Sequence, residues 1–272
     1  MKFFSKSKSK SKSKLTVALC LGGGGARGFA HIGAIKAFEE NGIDFDMCVG
    51  TSVGSILGAL YCAGVKSDEM MRVGDALDMK EIHNGVIFAP NDPLKIGRIV
   101  TGVIGDAEIE NLPKKFAAVA VDLKQGKQVV LDKGKVSVVC SASCCVPLFF
   151  RPVVYNDKHL VDGGLLNNIP SDVCRMLGAD KVVSVDINPT RGSGTNELGL
   201  IDVLKATFSI MSSNSSIMGI KHSDILIAAD TSKFRSTSKL GYEEMTELGY
   251  KAAFEQINEI KKLINGSEKT DT

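Results

Sequence analysis

Gly50, Thr51, Ser52, Val53 and Gly54 form a Gly-x-Ser-x-Gly pentapeptide between a short apolar run, residues 45–49, and a train of small and apolar residues, 56–63. The order this predicts is strand, sharp turn, helix. A serine on such a turn stands clear of its sheet at the amino end of a buried helix. Gly50 and Gly54 either side of it remove Cβ atoms that would crowd the backbone or an incoming substrate. The helix end supplies unpaired N–H groups and a positive partial charge, which favour the oxyanion formed when a serine attacks an ester. Ser52 is therefore read as a nucleophile. The same pentapeptide can open an ordinary helix, and the flanking strand and helix are what favour chemistry.

Upstream, residues 15–21 are a β-rich run ending in four glycines, Gly22 to Gly25, then Ala26, Arg27 and Gly28. A segment with Phe29, Ile32, Ile35 and Phe38 at helical spacing follows. Gly23, Gly25 and Gly28 satisfy Gly-x-Gly-x-x-Gly, and Asp46 lies about the right distance on to meet a ribose. A nucleotide-dependent oxidoreductase is nevertheless disfavoured, because the acidic residue should end the second strand and Asp46 precedes Cys48 and Val49. No Gly-Lys-[Ser/Thr] exists to cradle phosphate. The loop has a better use beside Ser52: two adjacent parallel strands bring both loops to the carboxyl edge of the sheet, where ligands of such sheets bind. The predicted oxyanion hole comprises Gly23, Gly24, Gly25, Arg27 and Gly28, with backbone N–H groups facing the acyl carbonyl. Arg27 is read as a loop anchor held by a salt bridge in preference to a phosphate ligand.

The third signal is Asp162-Gly163-Gly164, after the apolar pair Leu160 and Val161. Alone it is a turn. In the order Gly23 to Gly28, Gly50 to Gly54, Ala142-Ser143 with Pro147, then Asp162-Gly163-Gly164, the chain resembles the patatin-like phospholipase family, from residue 15 to about 186, some two thirds of its length. The resemblance implies a three-layer α/β/α sandwich with a mainly parallel central sheet. It also implies hydrolysis of a lipid acyl ester by a Ser-Asp dyad without metal or cofactor, with Ser52 as nucleophile and Asp162 as base on a turn held by Gly163 and Gly164. An aspartate of ordinary pKa, about 3.9, is a poor base for a hydroxyl, so Asp162 must be close and partly desolvated. A triad would use Ser52, Asp162 or Asp186, and His222, but His222 is expected at the start of a strand, at the opposite edge. A non-catalytic lipid-binding module would keep the fold and lose a dyad member, yet both are present.

The remaining elements must carry these residues. A chain of 272 residues with 44% apolar residues and 28 glycines fits one α/β domain, read as residues 15–265 between disordered tails at 1–14 and 266–272. Helices are expected over about 67–82, 170–177, 201–218 and, as one long amphipathic closing helix, 243–264. Strands are expected at 116–121 and 128–131 as a hairpin, at 152–155, 181–187 and 224–229. Residues 136–146 form a small-residue segment and 188–199 a loop. Residues 84–105, broken by Pro90 and Pro93, read as an irregular insert, either a lid or a surface crossover.

No apolar run approaches the roughly 18 residues needed to cross a bilayer. Residues 1–14 carry six lysines and no acid; without them 27 basic residues face 31 acidic ones, so the body is near −4. The tail is either solubilising or an electrostatic tether to an anionic membrane surface, and Lys2 excludes N-myristoylation. No nucleic-acid partner is expected. Seven cysteines, most of them within apolar runs, read as buried reduced thiols of a cytoplasmic protein, peripheral at the inner membrane surface if the tail is a tether. With no Cys-x-x-Cys and four scattered histidines, no metal site is expected.

Overall fold

The structure, a computed structural model, describes residues 15–76, 91–188 and 199–265. Its strands are β1 (Val17–Leu21), β2 (Met47–Thr51), β3 (Lys115–Asp122), β4 (Lys127–Leu131), β5 (Val153–Tyr155), β6 (Lys158–Asp162), β7 (Lys181–Asp186) and β8 (Ile225–Ala228). They make one sheet in the order β5-β6-β3-β2-β1-β7-β8, with β4 also paired to β3. β3, β2, β1, β7 and β8 run parallel, whereas β4 and β6 are antiparallel to β3.

The parallel strands are apolar at successive positions because both faces are covered. Leu19, Leu21, Cys48, Phe116 and Ala118 face one core, and Ala18, Cys20, Met47, Val49 and Val119 face the other. The first core is closed by α1 (Phe29–Glu40), α2 (Val53–Cys62), α3 (Ser67–Ala76), α4 (Leu94–Ile104), α5 (Val136–Ser143), α8 (Tyr242–Glu255) and α9 (Ile257–Asn265). The second is closed by α6 (Ser171–Met176) and α7 (Leu200–His222). This is the three-layer α/β/α sandwich.

Three sequence expectations need correction. The second half of the expected irregular insert is helix α4, because Pro93, at φ −66°, stands at the helix start, where its fixed backbone is compatible, rather than inside it. The closing helix is two helices, α8 and α9, interrupted at Gln256. β5 and β6 are a hairpin through Asn156 and Asp157, at φ 49° and 59°, a left-handed pair that the sequence reading overlooked. The two tails, residues 77–82 and 84–90, and most of the 188–199 loop lie outside the described residues.

One feature of the sheet places the site. β4 occupies one edge of β3 over residues 118–122, so β2 and β6 share the other edge end to end. β2 pairs with the first part, reaching Thr51 opposite Val119, and β6 arrives from the opposite direction, ending with Asp162 opposite Ala120. The two strand ends, and the residues that follow them, therefore abut.

Candidate active site

Ser52 joins β2 to α2 at φ 53° and ψ −129°, a conformation seldom adopted by non-glycine residues and one that accompanies functional strain. The turn is possible because the backbone of α2 lies against the end of β1: a Cβ at Gly54 would stand 2.2 Å from the Leu21 carbonyl oxygen. A Cβ at Gly50 would come equally near the carbonyl of Gly54. Ser52 is nearly buried, and no residue precedes α2 with a side-chain cap. The helix amino end is thus left open beside the serine.

Asp162 is 1% exposed. Its Oδ1 accepts the N–H of Gly164 at 2.8 Å, while its Oδ2, fully buried, has no hydrogen-bond partner among the described residues. Burial pushes the carboxyl up to about 6, against the Gly164 N–H and the Ser52 hydroxyl, both of which pull it down. The serine hydroxyl thus lies near the carboxyl without an ordinary hydrogen bond to Oδ2.

The glycine loop reaches the same place from β1. A Cβ at Gly23 would stand 3.1 Å from the Ser52 Cβ, and one at Gly28 would strike Val53 at the head of α2. Gly23 donates its N–H to Asn168 O at 3.2 Å and Arg27 donates its own to Gly24 O at 3.3 Å. Among the described residues, the N–H groups of Gly24 and Gly25 make no hydrogen bond. Of the five residues expected to line an oxyanion hole, those two carry the free donors. The Arg27 guanidinium is committed elsewhere, donating to Phe234 O at 2.9 and 2.7 Å and to Asn188 Oδ1, with Asp230 attracting it. It anchors the loop, by carbonyl and amide contacts rather than by a salt bridge alone.

Other residues shape the site without having been read in the sequence. Asn188 Nδ2 donates to Gly23 O at 2.7 Å. Asn168 is tied to α7, its N–H donating to Ser215 Oγ, whose hydroxyl donates to Gly164 O at 2.8 Å. His31, fully buried in α1, hydrogen-bonds Gly22 O at 2.7 Å through Nε2, and burial pushes its pKa down to about 4. Because a carbonyl only accepts, that nitrogen carries the proton. A histidine in an apolar helix face three residues past the glycine motif was the available signal. The two asparagines had none, since their partners are distant in sequence.

Two rejected alternatives also have places. Asp46 accepts the Val17 N–H at 2.8 Å at the amino edge of the sheet, away from the glycine loop. His222 ends α7 just before β8, also at the amino edge, with Nδ1 against Met218 O. Neither meets Ser52.

A sequence profile described as patatin-like phospholipase matches residues 19–175. The chain is 34% identical over 194 residues to an uncharacterized NTE family protein of Mycobacterium bovis, covering 65% of this chain and 32% of that protein. It is 34% identical over 180 residues to mouse patatin-like phospholipase domain-containing protein 6, covering 62% of this chain and 13% of that one. The chain thus spans less than half the length of these curated relatives. The solved structure of VipD from Legionella pneumophila superposes with a TM-score of 0.59 at 14% identity, over 92% of this chain and 69% of that one, which shows a shared fold. The glycine loop, serine turn and Asp-Gly-Gly turn all fall inside a profile match that covers more than half of the sequence, and the chain belongs to the patatin-like phospholipase family.

Proposed function

We propose that the protein is a serine lipid acyl hydrolase, a carboxylic ester hydrolase of phospholipase, lysophospholipase or esterase type. The observation that carries this reading is the buried Asp162 Oδ2, without a partner among the described residues, on a carboxyl pushed up to about 6 beside a serine in a strained turn. A base titrating there is mostly ionised at neutral pH and far better matched to a hydroxyl proton than an exposed aspartate.

As Ser52 Oγ bonds to the ester carbonyl carbon, its proton passes to Asp162 Oδ2. The carbonyl oxygen becomes an oxyanion, which the N–H groups of Gly24 and Gly25 and the amino end of α2 stabilise in this reading. Collapse breaks the carbon–oxygen bond, and the leaving alcohol takes the proton from Asp162. Water, deprotonated by the same carboxylate, then attacks the acyl-serine; Ser52 leaves as the hydroxyl and the fatty acid departs.

A fluorophosphonate should label the protein at Ser52 and spare a folded Ser52→Ala. On p-nitrophenyl and long-chain lysophospholipid esters, Asp162→Asn should lower kcat at least about a thousandfold, and His222→Ala less than about tenfold. Labelling at another serine, or the reverse ranking of the two variants, refutes the dyad.

A further inference from the structure

Ala142, Ser143 and Pro147 belong to the sequence signature, yet neither nucleophile nor base lies among them. Ser143 ends α5 and is fully buried. Its Oγ accepts the N–H of Ser52 at 2.9 Å and donates its own proton to Val119 O at 2.7 Å. Val119 is the β3 partner of Thr51, and the next residue along, Ala120, is the partner of Asp162. The hydroxyl is therefore interposed where β2 leaves the edge of β3 and β6 takes it over. Two residues on, Cys145 O accepts the N–H of Asp162 at 2.9 Å. A single three-residue segment thus holds the backbones of both Ser52 and Asp162.

We infer that residues 143–145 form a yoke that fixes the separation of the Ser52 hydroxyl from the Asp162 carboxyl, with Ser143 as the positioning residue for the nucleophile. The inference rests on the reading of Ser52 and Asp162 as a dyad. Ser52 has left the strand conformation, so its N–H has a hydroxyl where a strand would have used a neighbouring carbonyl. Remove that hydroxyl and the N–H of Ser52 and the carbonyl of Val119 lose their shared partner inside the protein. The strained turn can then relax, and a displacement of about 1 Å at a reacting atom costs about a hundredfold in rate. Because Cys145 still grips Asp162, the loss falls on the relative placement of the two groups.

Ser141 supplies the control. It lies in the same helix, is equally buried, and its hydroxyl donates only to Ser137 O, within the helix, at 2.7 Å. Ser143→Ala, Ser141→Ala and wild type are compared by the rate of fluorophosphonate reaction at Ser52, by kcat and KM on a p-nitrophenyl ester, and by thermal melting. The expected result is a Ser143→Ala that reacts about ten- to a hundredfold more slowly with both reagents, with KM within about twofold. Ser141→Ala is expected to react as wild type with a comparable loss of melting temperature. Equal rates for Ser143→Ala and wild type, or equal losses of rate in the two variants, overturn the inference. If Ser143→Ala does not fold, the near-isosteric Ser143→Cys, a poorer acceptor, is measured instead; a slowing of about fivefold or more supports the yoke, and wild-type rate overturns it. Wild type unlabelled at Ser52 removes the dyad itself, a failure distinct from labelled wild type with an indifferent Ser143.

Discussion

A carboxyl pushed up to about 6 by burial couples Asp162 to pH in two ways. As a base it must be ionised, so kcat/KM should fall as pH drops through about 6, with the residual activity of Asp162→Asn lacking that limb; a flat wild-type profile from pH 5 to 7 would contradict it. Stability moves oppositely. The unfolded chain releases this proton near 3.9 and the folded protein retains it to about 6, so stability declines as pH rises between those values and stays reduced above them, by about 3 kcal/mol. Asp162→Asn can keep the Gly164 contact without the buried charge. It should therefore melt higher than wild type at pH 7.5, with the gain gone by pH 3.5; a lower melting temperature at pH 7.5 would mean the carboxylate is better held than its burial implies. The serine and the aspartate were legible because each sits among glycines, and glycine spacing records where backbones must come close. The shifted pKa was legible only as a requirement. Its source, enclosure between strands, and the bond from Ser52 to Ser143 across 91 residues leave no local pattern.

At the level of elements, strands β1, β2 and β7 and the β3–β4 hairpin were readable because period, apolar content and turn residues agreed. Pro93 was misread because proline signals both an interruption and a first turn, and only the apolar face of Ile96 and Val100 on the core decides between them. The break at Gln256 escaped because the apolar positions keep nearly the same spacing through it. Two glycines make the contrast between packed and open elements testable. A Cβ at Gly54 would meet backbone oxygen at 2.2 Å, so Gly54→Ala should cost about 2–3 kcal/mol and remove fluorophosphonate reactivity. Gly102, exposed in α4 with nothing within 4 Å of a Cβ, should gain about 0.5–1 kcal/mol as alanine and leave the reaction rate unchanged. Chemical denaturation of both variants checks the two signs; a stabilised Gly54→Ala would show that α2 can move off β1.

For the whole molecule, the separation of charge is a sequence property: six lysines in residues 1–14, and a body near −4. No helix among the described residues is long and apolar enough to cross a membrane. If the tail is a tether, its deletion should weaken binding to phosphatidylserine-containing vesicles, and the difference should vanish in high salt as screening shortens its reach. Equal binding with and without it would leave the segment solubilising. The shared edge of β3 bears on how such a protein tolerates change. Thr51 and Asp162 are counted off against adjacent residues of one strand, while the stretch between α2 and β3 and the stretch between Cys145 and β5 take no part in the count. Those connections can lengthen, shorten or be replaced without altering the count that places serine and carboxylate, whereas a slip of one residue on β3 would turn the carboxylate to the other face of the sheet. Loops around the proposed dyad, residues 143–145 apart, are thus free to diversify among relatives, and β3, which contributes no reacting group, is the strand least free to do so.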